Sequence, residues 1–362
     1  MVYRNFAKRN VYAVARNIKA LFKTKKKLKE KRIIILKELK KDIVIVGGGP
    51  IGIACALECK KRNWDYVIIE KGALTNSIFN YPRNMTFFSS SEKLEIDEIP
   101  FISNKSKPNR DEALEYYRRV TTSNNLNINL FETVTDIKKE AGQFKTTSDK
   151  AVYFSDQVII CTGFYDIPKL LNVPGEDLDK VTHYYKEAHN YTLQDVIVVG
   201  ASNSAVDAAL EIWRKGGRVT MVVRGEGIGE RVKYWVRPDI INRIKEGSIK
   251  AYFNSEIKAI KEESVEIHTP EGDIEIDNDY VVALTGYLPN FSLLEKSGIT
   301  ISDDQKYIPT YDPETMESNI EGLYLAGVIC GGMETHKWFI ENSRIHAKLI
   351  AEAIEKKQNV KA

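Results

Sequence analysis

Cysteine is scarce in this chain of 362 residues, and no two cysteines stand at the C-x-x-C spacing. That absence excludes a catalytic relay through two neighbouring thiols, and we predict no metal site. The cysteines lie in strongly structured segments, as expected for reduced thiols in a cytoplasmic protein. The four are Cys55, Cys59, Cys161 and Cys330.

Long apolar runs are also missing, because no stretch approaches the roughly eighteen apolar residues of a membrane-spanning helix. The net charge of +3 conceals an uneven distribution. Residues 1–41 contain fifteen Lys or Arg and two acidic residues, whereas the remaining chain contains 38 basic and 48 acidic residues. Residues 42–362 are therefore acidic overall and give no indication of nucleic-acid binding. The length of the chain favours two domains.

The basic segment, residues 1–40, is predicted to be an extension outside the folded domains. Its apolar residues between Val11 and Phe22 fall on one helical face, interleaved with lysine and arginine. This pattern fits a basic amphipathic helix that contacts anionic lipid or a partner. A targeting peptide is a second interpretation. A flexible, solvated extension is preferred, because such segments often cannot bury a core.

The rest of the chain is organised around a β-α-β unit. An apolar strand over Asp42–Val46 leads into Gly47-Gly48-Gly49-Pro50-Ile51-Gly52, which has the pattern G-x-G-x-x-G. A helix over Ile53–Arg62 and a second strand over Tyr66–Ile69 follow, and that strand ends in Glu70. The order is typical of a dinucleotide-binding unit.

Each part of this unit suits a dinucleotide. Gly47 permits a tight turn, Gly49 lets a pyrophosphate approach the backbone, and Gly52 lets helix and strand pack closely. The helix N-terminus offers free N–H groups and a partial positive charge to the phosphates. Glu70 can accept hydrogen bonds from an adenosine ribose.

A second, less regular unit begins at the apolar strand Asp195–Val199. Its turn is Gly200-Ala201-Ser202-Asn203-Ser204-Ala205, with serine and alanine in place of the second and third glycines. A helix over Val206–Lys215 and a strand over Arg218–Val223 are predicted to complete the unit.

The residue that ends each unit differs in charge. The first unit ends in Glu70, whereas the second ends in Arg224, and Arg231 and Lys233 follow on a glycine-rich loop. A carboxylate would repel a ribose 2′-phosphate, and an arginine would pair with it. The first unit is therefore predicted to bind FAD and the second NADPH.

The order of these segments predicts an α/β protein with two Rossmann-like dinucleotide-binding domains. The FAD domain is predicted to be discontinuous, at residues 41–165 and 285–362, with the NADPH domain inserted at residues 166–284. In many flavoproteins an apolar strand ending in Thr-Gly closes such a unit, and Thr162-Gly163 and Thr285-Gly286 have this form.

Two segments supplement these units. A final strand over Gly322–Gly327 and a helix over Trp338–Glu355 are predicted to return to the FAD domain. The long segment 76–108 alternates aromatic and hydroxyl side chains, which suit a planar cofactor or, alternatively, ordinary packing beneath a loop. Its candidate cofactor contacts are Tyr81, Phe88, Ser89 and Ser90.

This plan resembles that of thioredoxin reductase, and several motifs are similar to those of the YpdA-type bacillithiol disulfide reductases. The similarity runs from about Asp42 to the C-terminus. The motifs are Asn80-Tyr81-Pro82, residues 86–96 (TFFSSSEKLEI), Lys107-Pro108, residues 183–189 (HYYKEAH), residues 203–210 (NSAVDAAL) and residues 339–344 (FIENSR).

The resemblance implies an FAD enzyme that takes hydride from NADPH and reduces the disulfide of a low-molecular-weight thiol, in thiol redox homeostasis. The predicted FAD contacts are Gly47, Gly49, Pro50, Ile51, Gly52, Glu70, Lys71, Tyr81, Phe88, Ser89, Ser90, Thr162, Gly163 and Gly327. The predicted NADPH contacts are Gly200, Ser202, Asn203, Ser204 and Arg224.

One position departs from that family. Many members have a cysteine directly after the proline of G-G-G-P, as the proposed redox thiol, and this chain has Ile51. A thiol there would be activated by the helix N-terminus, whereas isoleucine forms no mixed disulfide. The catalytic residues are therefore left open, with Cys330, His183 and His189 as candidates.

Three functions stay open from the sequence. The first is an NADPH-dependent disulfide reductase that works without the usual thiol, or through Cys330. The second is a flavin reductase or diaphorase with a quinone, a ferredoxin-like protein or oxygen as acceptor. The third is a non-catalytic flavoprotein that senses NADPH. We expect a cytoplasmic homo-oligomer without a nucleic-acid partner, with peripheral membrane contact through the extension as an option.

Overall fold

The computed structural model of this protein describes residues 36–361. The predictions for residues 1–35 therefore lie outside the described residues. In chain order the strands are β1 (Lys37–Val46), β2 (Tyr66–Ile69), β3 (Ile128–Asn129), β4 (Val134–Glu140), β5 (Gln143–Ser148), β6 (Ala151–Ile160), β7 (Ile167–Pro168), β8 (Val181–Thr182), β9 (Asp195–Val199), β10 (Arg218–Val222), β11 (Lys250–Tyr252), β12 (Glu256–Ile260), β13 (Ser264–Thr269), β14 (Gly272–Asp277), β15 (Tyr280–Ala283), β16 (Tyr287–Leu288) and β17 (Leu323–Leu325).

Helices cover the connections between these strands. The α-helices are α1 (Pro50–Lys61), α2 (Asn76–Asn80), α3 (Ser91–Leu94), α4 (Arg110–Ser123), α5 (Asn203–Arg214), α6 (Arg237–Lys245), α7 (Phe291–Lys296), α8 (Ile340–Ser343) and α9 (Ile345–Lys361). Within the described residues, no helix has the length and apolar character needed to cross a bilayer.

The first sheet has seven strands in the order β3-β2-β1-β6-β5-β4, with β17 beside β6. Strands β1 and β2 are parallel, with Val46 opposite Ile69, as the crossover through α1 requires. Strands β4, β5 and β6 form an antiparallel meander. The predicted β-α-β unit is therefore present at the centre of this sheet.

The second sheet is wholly parallel, in the order β11-β10-β9-β15-β8. A separate antiparallel sheet of β12, β13 and β14 follows β11 in the chain. Strand β7 follows the first sheet and pairs with β16, which follows the second, with Tyr287 opposite Pro168. This short ribbon is where the chain passes between the two sheets.

The hydrophobic cores follow the same division. One core contains residues from 43–161 and again from 293–354, and it includes most of α1. Two further cores lie within residues 185–284. The chain is therefore a mixed α/β protein of the predicted class, and the exact domain boundaries stay predictions.

Apart from shifts of up to three residues at the ends of elements, three elements differ from the sequence predictions. Strand β1 begins at Lys37, whereas the predicted strand begins at Asp42. The apolar pattern did not reveal the first residues of β1 because they are mostly polar. The apolar pattern also predicts two separate strands, over Ala151–Phe154 and Gln157–Cys161, whereas the structure has one continuous strand, β6. The predicted helix over Trp338–Glu355 is divided at Arg344, whose guanidinium donates to the carbonyl oxygen of Glu95 at 2.6 Å.

Candidate active site

The first nucleotide turn is built around close backbone contacts. Gly47 has φ of +111°, and a Cβ there would lie 2.5 Å from the carbonyl oxygen of Cys161. A Cβ on Gly52 would lie 1.9 Å from the carbonyl oxygen of Gly47, so α1 packs directly on the turn. Gly49 is different, because a Cβ there would meet no atom of the described part of the chain within 4 Å. The turn therefore leaves open space at the position predicted for a pyrophosphate.

Glu70 closes this turn from the end of β2. Its side-chain oxygens accept hydrogen bonds from the N–H groups of Gly48, at 2.7 Å, and Gly72, at 2.8 Å. The residue is 6% exposed, and burial raises the pKa of its carboxyl group. Glu70 thus holds the turn in shape, and each oxygen keeps a second lone pair for a ribose hydroxyl.

The second nucleotide turn repeats this geometry with other residues. Gly200 has φ of +125°, and a Cβ there would lie 2.6 Å from the carbonyl oxygen of Leu284. Ser202 caps α5 in an extended conformation without a side-chain cap bond. Ala205 replaces the third glycine and is fully buried, and a Cβ on Gly200 would lie 3.2 Å from its Cβ.

The loop after β10 lies against the second turn. Arg224 and Arg231 are exposed. Lys233 is 7% exposed and forms an ion pair with Asp207, its Nζ 2.6 Å from Oδ2. Asn203 contacts the same loop through both ends of its amide. Lys233 is therefore already paired, and of the basic residues predicted after β10 only the arginines are exposed.

A single cavity of about 1140 Å³ connects the two turns. Most residues predicted to contact a cofactor line it, which brings the two nucleotide units together at one site. Those on its wall are Gly47, Gly49, Pro50, Ile51, Glu70, Lys71, Tyr81, Phe88, Ser89, Thr162, Gly163, Gly200, Ser202, Asn203, Ser204, Arg224 and Gly327.

Two predicted contacts, Gly52 and Ser90, do not line the cavity. Gly52 is fully engaged in packing α1 against the turn. Ser90 is the residue that caps α3, whereas its neighbour Ser89 reaches the cavity wall. The sequence could not show that Ser90 caps a helix while Ser89 lines the cavity, because the side chains of adjacent loop residues point in different directions.

The candidate catalytic residues also lie off the cavity wall. His183 Nε2 is 3.3 Å from Glu176 Oε1, and both side chains are 13% exposed. His189 is exposed at the start of a short 3₁₀ helix. Cys330 is completely buried, with its Sγ 4.0 Å from His346 Nδ1. The structure therefore gives no support to these three as catalytic groups.

The thiols of the described residues are poorly suited to nucleophilic chemistry. Burial raises the pKa of Cys59 and of Cys330, and a hydrogen bond to Cys161 together with burial raises the pKa of Cys55. Reactive thiols instead need a lowered pKa and access to solvent. Cys161 reaches the cavity wall but is only 9% exposed.

Ile51 occupies the position where a redox thiol would stand. It is 8% exposed, lines the cavity and packs against Gly327, where a Cβ would lie 3.3 Å from its Cγ1. The isoleucine therefore contributes an apolar contact to the wall in the first turn of α1.

Sequence reasoning missed a tyrosine cluster where the chain passes between the sheets. The ring of Tyr165 lies 4.2 Å from that of Tyr287 and 4.8 Å from that of Tyr81, measured between centroids. All three line the cavity, and burial raises the pKa of Tyr81 to about 12. A signal was available, because Tyr165 and Tyr287 closely follow the two Thr-Gly pairs.

Phe88 lies at the mouth of the cavity rather than deep inside it. It is 55% exposed, and its ring lies 5.7 Å from that of Trp235, on the loop after β10. The Nζ of Lys107 lies 5.4 Å from the Phe88 ring and 4.9 Å from the Trp235 ring. These side chains bridge the two nucleotide units, a contact that local sequence could not indicate.

The walls fit two dinucleotides. At the first turn, Gly49 leaves open space, and the buried hydroxyl oxygen of Thr162 has no hydrogen-bond partner among residues 36–361. The first N–H groups of α1 lack acceptors within the helix, so that they suit phosphate oxygens. At the second turn, the N-terminus of α5 and the exposed Arg224 offer the equivalent groups.

The chain is similar to known flavoprotein reductases. Residues 44–327 match the model of the family described as pyridine nucleotide-disulphide oxidoreductase. Bacilliredoxin reductase Bdr of Bacillus subtilis is 43% identical over 318 residues, which are 87% of this chain and 98% of that protein.

Solved structures agree with this match. Bacillithiol disulfide reductase Bdr (YpdA) from Staphylococcus aureus superposes with a TM-score of 0.86 and 42% identity, covering 88% of this chain and 99% of that one. Thioredoxin reductase of T. acidophilum superposes with a TM-score of 0.70 over 88% of this chain and 99% of its own. At 18% identity the second match shows the fold alone.

Proposed function

This chain belongs to the pyridine nucleotide-disulphide oxidoreductase family, and we propose that it reduces the disulfide of bacillithiol or a similar low-molecular-weight thiol. It is an oxidoreductase that uses FAD and NADPH, with a thioredoxin-reductase-like fold. The observation that carries the proposal is 43% identity over almost the whole length of a bacilliredoxin reductase. The overall reaction consumes one NADPH and one proton and yields NADP⁺ and two thiols.

The two turns divide the cofactors between them in this proposal. FAD is assigned to the turn at Gly47–Gly52, with Glu70 on its ribose, and NADPH to the turn at Gly200–Ala205, with Arg224 on its 2′-phosphate. Bound FAD supplies two-electron redox chemistry between NADPH and the acceptor. The residues of the cavity wall bind and orient the two dinucleotides and exclude water from the space between them.

A second function deserves a test because of Ile51. The cavity wall offers an isoleucine where the resemblance expects a thiol, and the described thiols are buried. A quinone, a ferredoxin-like protein or oxygen needs no protein thiol as an intermediate. Since the family is one of oxidoreductases, the non-catalytic alternative is not carried further.

We also propose a substrate class, a location and an oligomeric state. We infer a small-molecule disulfide as substrate, a cytoplasmic site and a homo-oligomeric state. Peripheral membrane contact through the basic extension remains an option from its sequence alone. Size-exclusion chromatography with light scattering tests the oligomer, and vesicle sedimentation with the full chain tests membrane contact.

The deciding experiment supplies purified holoenzyme with NADPH under anaerobic conditions and a panel of acceptors. Bacillithiol disulfide should be reduced, with two thiols formed for each NADPH consumed. A quinone and ferredoxin serve as competing acceptors in the same assay. Faster turnover with either competitor and none with the disulfide would replace the proposal by the second function.

Substitution at position 51 sharpens this experiment. We expect Ile51→Cys to increase disulfide turnover, because a thiol at a helix N-terminus is activated, and to leave dye reduction unchanged. Cys330→Ser should affect neither activity, since Cys330 lies off the cavity wall. Loss of disulfide turnover in Cys330→Ser alone would instead assign that buried thiol a catalytic role.

A further inference from the structure

The loop over residues 224–233, here called the coenzyme loop, is tied to the second nucleotide turn by Asn203. The Nδ2 of Asn203 donates to the carbonyl oxygen of Arg231 at 3.1 Å, and its Oδ1 accepts from the N–H of Lys233 at 2.8 Å. The N–H of Gly229 also donates to the carbonyl oxygen of Ala201 at 3.0 Å. Both ends of one amide therefore hold the same stretch of the loop.

A second anchor lies one helical turn further along. Asp207 follows Asn203 by four residues on α5, so the two side chains share a face of the helix. Asp207 pairs with the largely buried Lys233 at 2.6 Å. Removing one partner of such a pair leaves an uncompensated charge. The ion pair therefore favours the loop position in which Lys233 lies beside Asp207.

Between Arg224 and the anchors the coenzyme loop packs against the core through one side chain, Ile228, which is 8% exposed. Residues 224–227 are exposed, and their one backbone tie among the described residues is the carbonyl oxygen of Gly225, which accepts from the N–H of Asn254 at 2.9 Å. Glycine-rich segments have high conformational entropy when free. The contacts to α5 therefore act together with the buried side chain of Val232 in placing Arg231, whereas Arg224 is held by its position at the end of β10.

We propose that Asn203 and Asp207 are positioning residues for coenzyme selectivity, holding the coenzyme loop so that Arg224 and Arg231 face the 2′-phosphate of NADPH. This inference rests on the proposed binding of NADPH at the second turn. It changes the role predicted for Asn203 from a direct contact with the coenzyme to a contact with the loop that recognises it. The 2′-phosphate is the only group by which NADPH differs from NADH.

The first test measures kcat/KM for both coenzymes with the flavin-loaded enzyme and a dye acceptor. Asn203→Ala and Asp207→Asn should each lower the preference for NADPH over NADH by about tenfold, through the KM for NADPH, because aligned arginine–phosphate bonds are lost. The KM for NADH should rise much less than the KM for NADPH. Asn242→Ala, at an exposed site on α6, is the matched control and should change neither value. An equal loss with both coenzymes would overturn the proposal in favour of direct contact with their shared part.

The second test uses the protein without coenzyme and needs no activity. Trypsin cleaves after arginine, so cutting after Arg224 and Arg231 reports how firmly the loop is held. Both variants should be cut several-fold faster than wild type, and Asn242→Ala should match wild type. Cleavage unchanged in both variants would overturn the anchoring role. Should wild type bind no NADPH, the function proposed for the second turn fails, while the cleavage rates still decide the anchoring.

A double variant separates the loss of the ion pair from a general folding defect. If Asp207→Asn unfolds because the charge of Lys233 is left buried, Asp207→Asn combined with Lys233→Met removes that charge. The double variant should fold, as judged by circular dichroism, and show the same faster cleavage. Normal cleavage in the folded double variant would contradict the role of the ion pair.

Discussion

The two nucleotide turns of this protein reach one backbone geometry from unequal sequences. Gly47 and Gly200 both have positive φ, and a Cβ on either would lie about as close to a carbonyl oxygen of a neighbouring strand end, at 2.5 Å and 2.6 Å. At the third position of the fingerprint the turns differ. The first turn has Gly52, where a Cβ would lie 1.9 Å from the carbonyl oxygen of Gly47, whereas the second turn accommodates the Cβ of Ala205. The first glycine is therefore required by geometry in both turns, whereas the third is required only where the helix packs directly on the turn.

The ends of the two units differ more than their turns. Glu70 is buried and bonded to two N–H groups of its own unit, whereas Arg224 is exposed on the cavity wall. A buried, satisfied carboxylate is structural as well as able to bind a ribose. An exposed guanidinium is available to an anion. The comparison predicts which substitutions damage the fold and which damage only binding.

The largest expected effect is the loss of flavin from Gly49→Val. The valine would fill the open space predicted for the pyrophosphate, while no atom of the described residues lies within 4 Å of its Cβ. The variant should purify folded and colourless, as judged by circular dichroism and visible absorbance. Stoichiometric FAD in this variant would show that the site lies elsewhere.

Gly52→Ala should destabilise the fold itself, by about 3 kcal/mol, because its Cβ would lie 1.9 Å from a backbone oxygen. The matched reverse change, Ala205→Gly in the second turn, should cost only about 1 kcal/mol, from the greater freedom of glycine in a helix. Urea denaturation of the flavin-free proteins measures both. Equal losses would contradict the packing difference between the two turns.

Acid should lower the free energy of unfolding through His346, which lies in α9. This histidine is 1% exposed, its Nδ1 accepts from the N–H of Gly327 at 3.1 Å, and burial lowers its pKa to about 4. The unfolded chain binds a proton near pH 6.5, so stability is complete above that pH and falls towards pH 4, by up to about 3 kcal/mol. His346→Gln keeps an acceptor but does not titrate. Its unfolding free energy should therefore depend less on pH between 4 and 6.5, and an unchanged slope would sink this explanation.

Arg224→Glu should reduce the preference for NADPH over NADH by about 100-fold and leave flavin content and unfolding free energy unchanged. A carboxylate at this exposed position repels the 2′-phosphate that the arginine would pair with. Steady-state kinetics with both coenzymes measures the change. A preference that survived the substitution would assign coenzyme recognition to other residues.

Much of the fold could be predicted from the sequence because its signals are local. The turns at Gly47 and Gly200 follow short apolar strands and open helices, and the structure has both units where they were predicted. Periodicity could not find the break at Arg344, which reflects a contact with the distant Glu95. It also could not separate Ser89 on the cavity wall from Ser90 beside it.

The candidate site was less predictable where distant segments meet. The pairing of Phe88 with Trp235 and of Lys233 with Asp207 depends on how two nucleotide units pack together or how a loop folds back. Burial likewise gives no support to Cys330, a candidate from the sequence whose side chain is completely buried. Side-chain burial of this kind is set by tertiary packing, which a local pattern does not record.

The most direct test of the central claim is anaerobic reduction of the purified full chain, followed by its visible absorbance in a stopped-flow instrument. We predict one bound FAD per chain, bleached by NADPH and, at the same limiting concentration, much more slowly by NADH. The two-turn assignment requires both results together. A colourless protein, or equal rates with the two coenzymes, would contradict it.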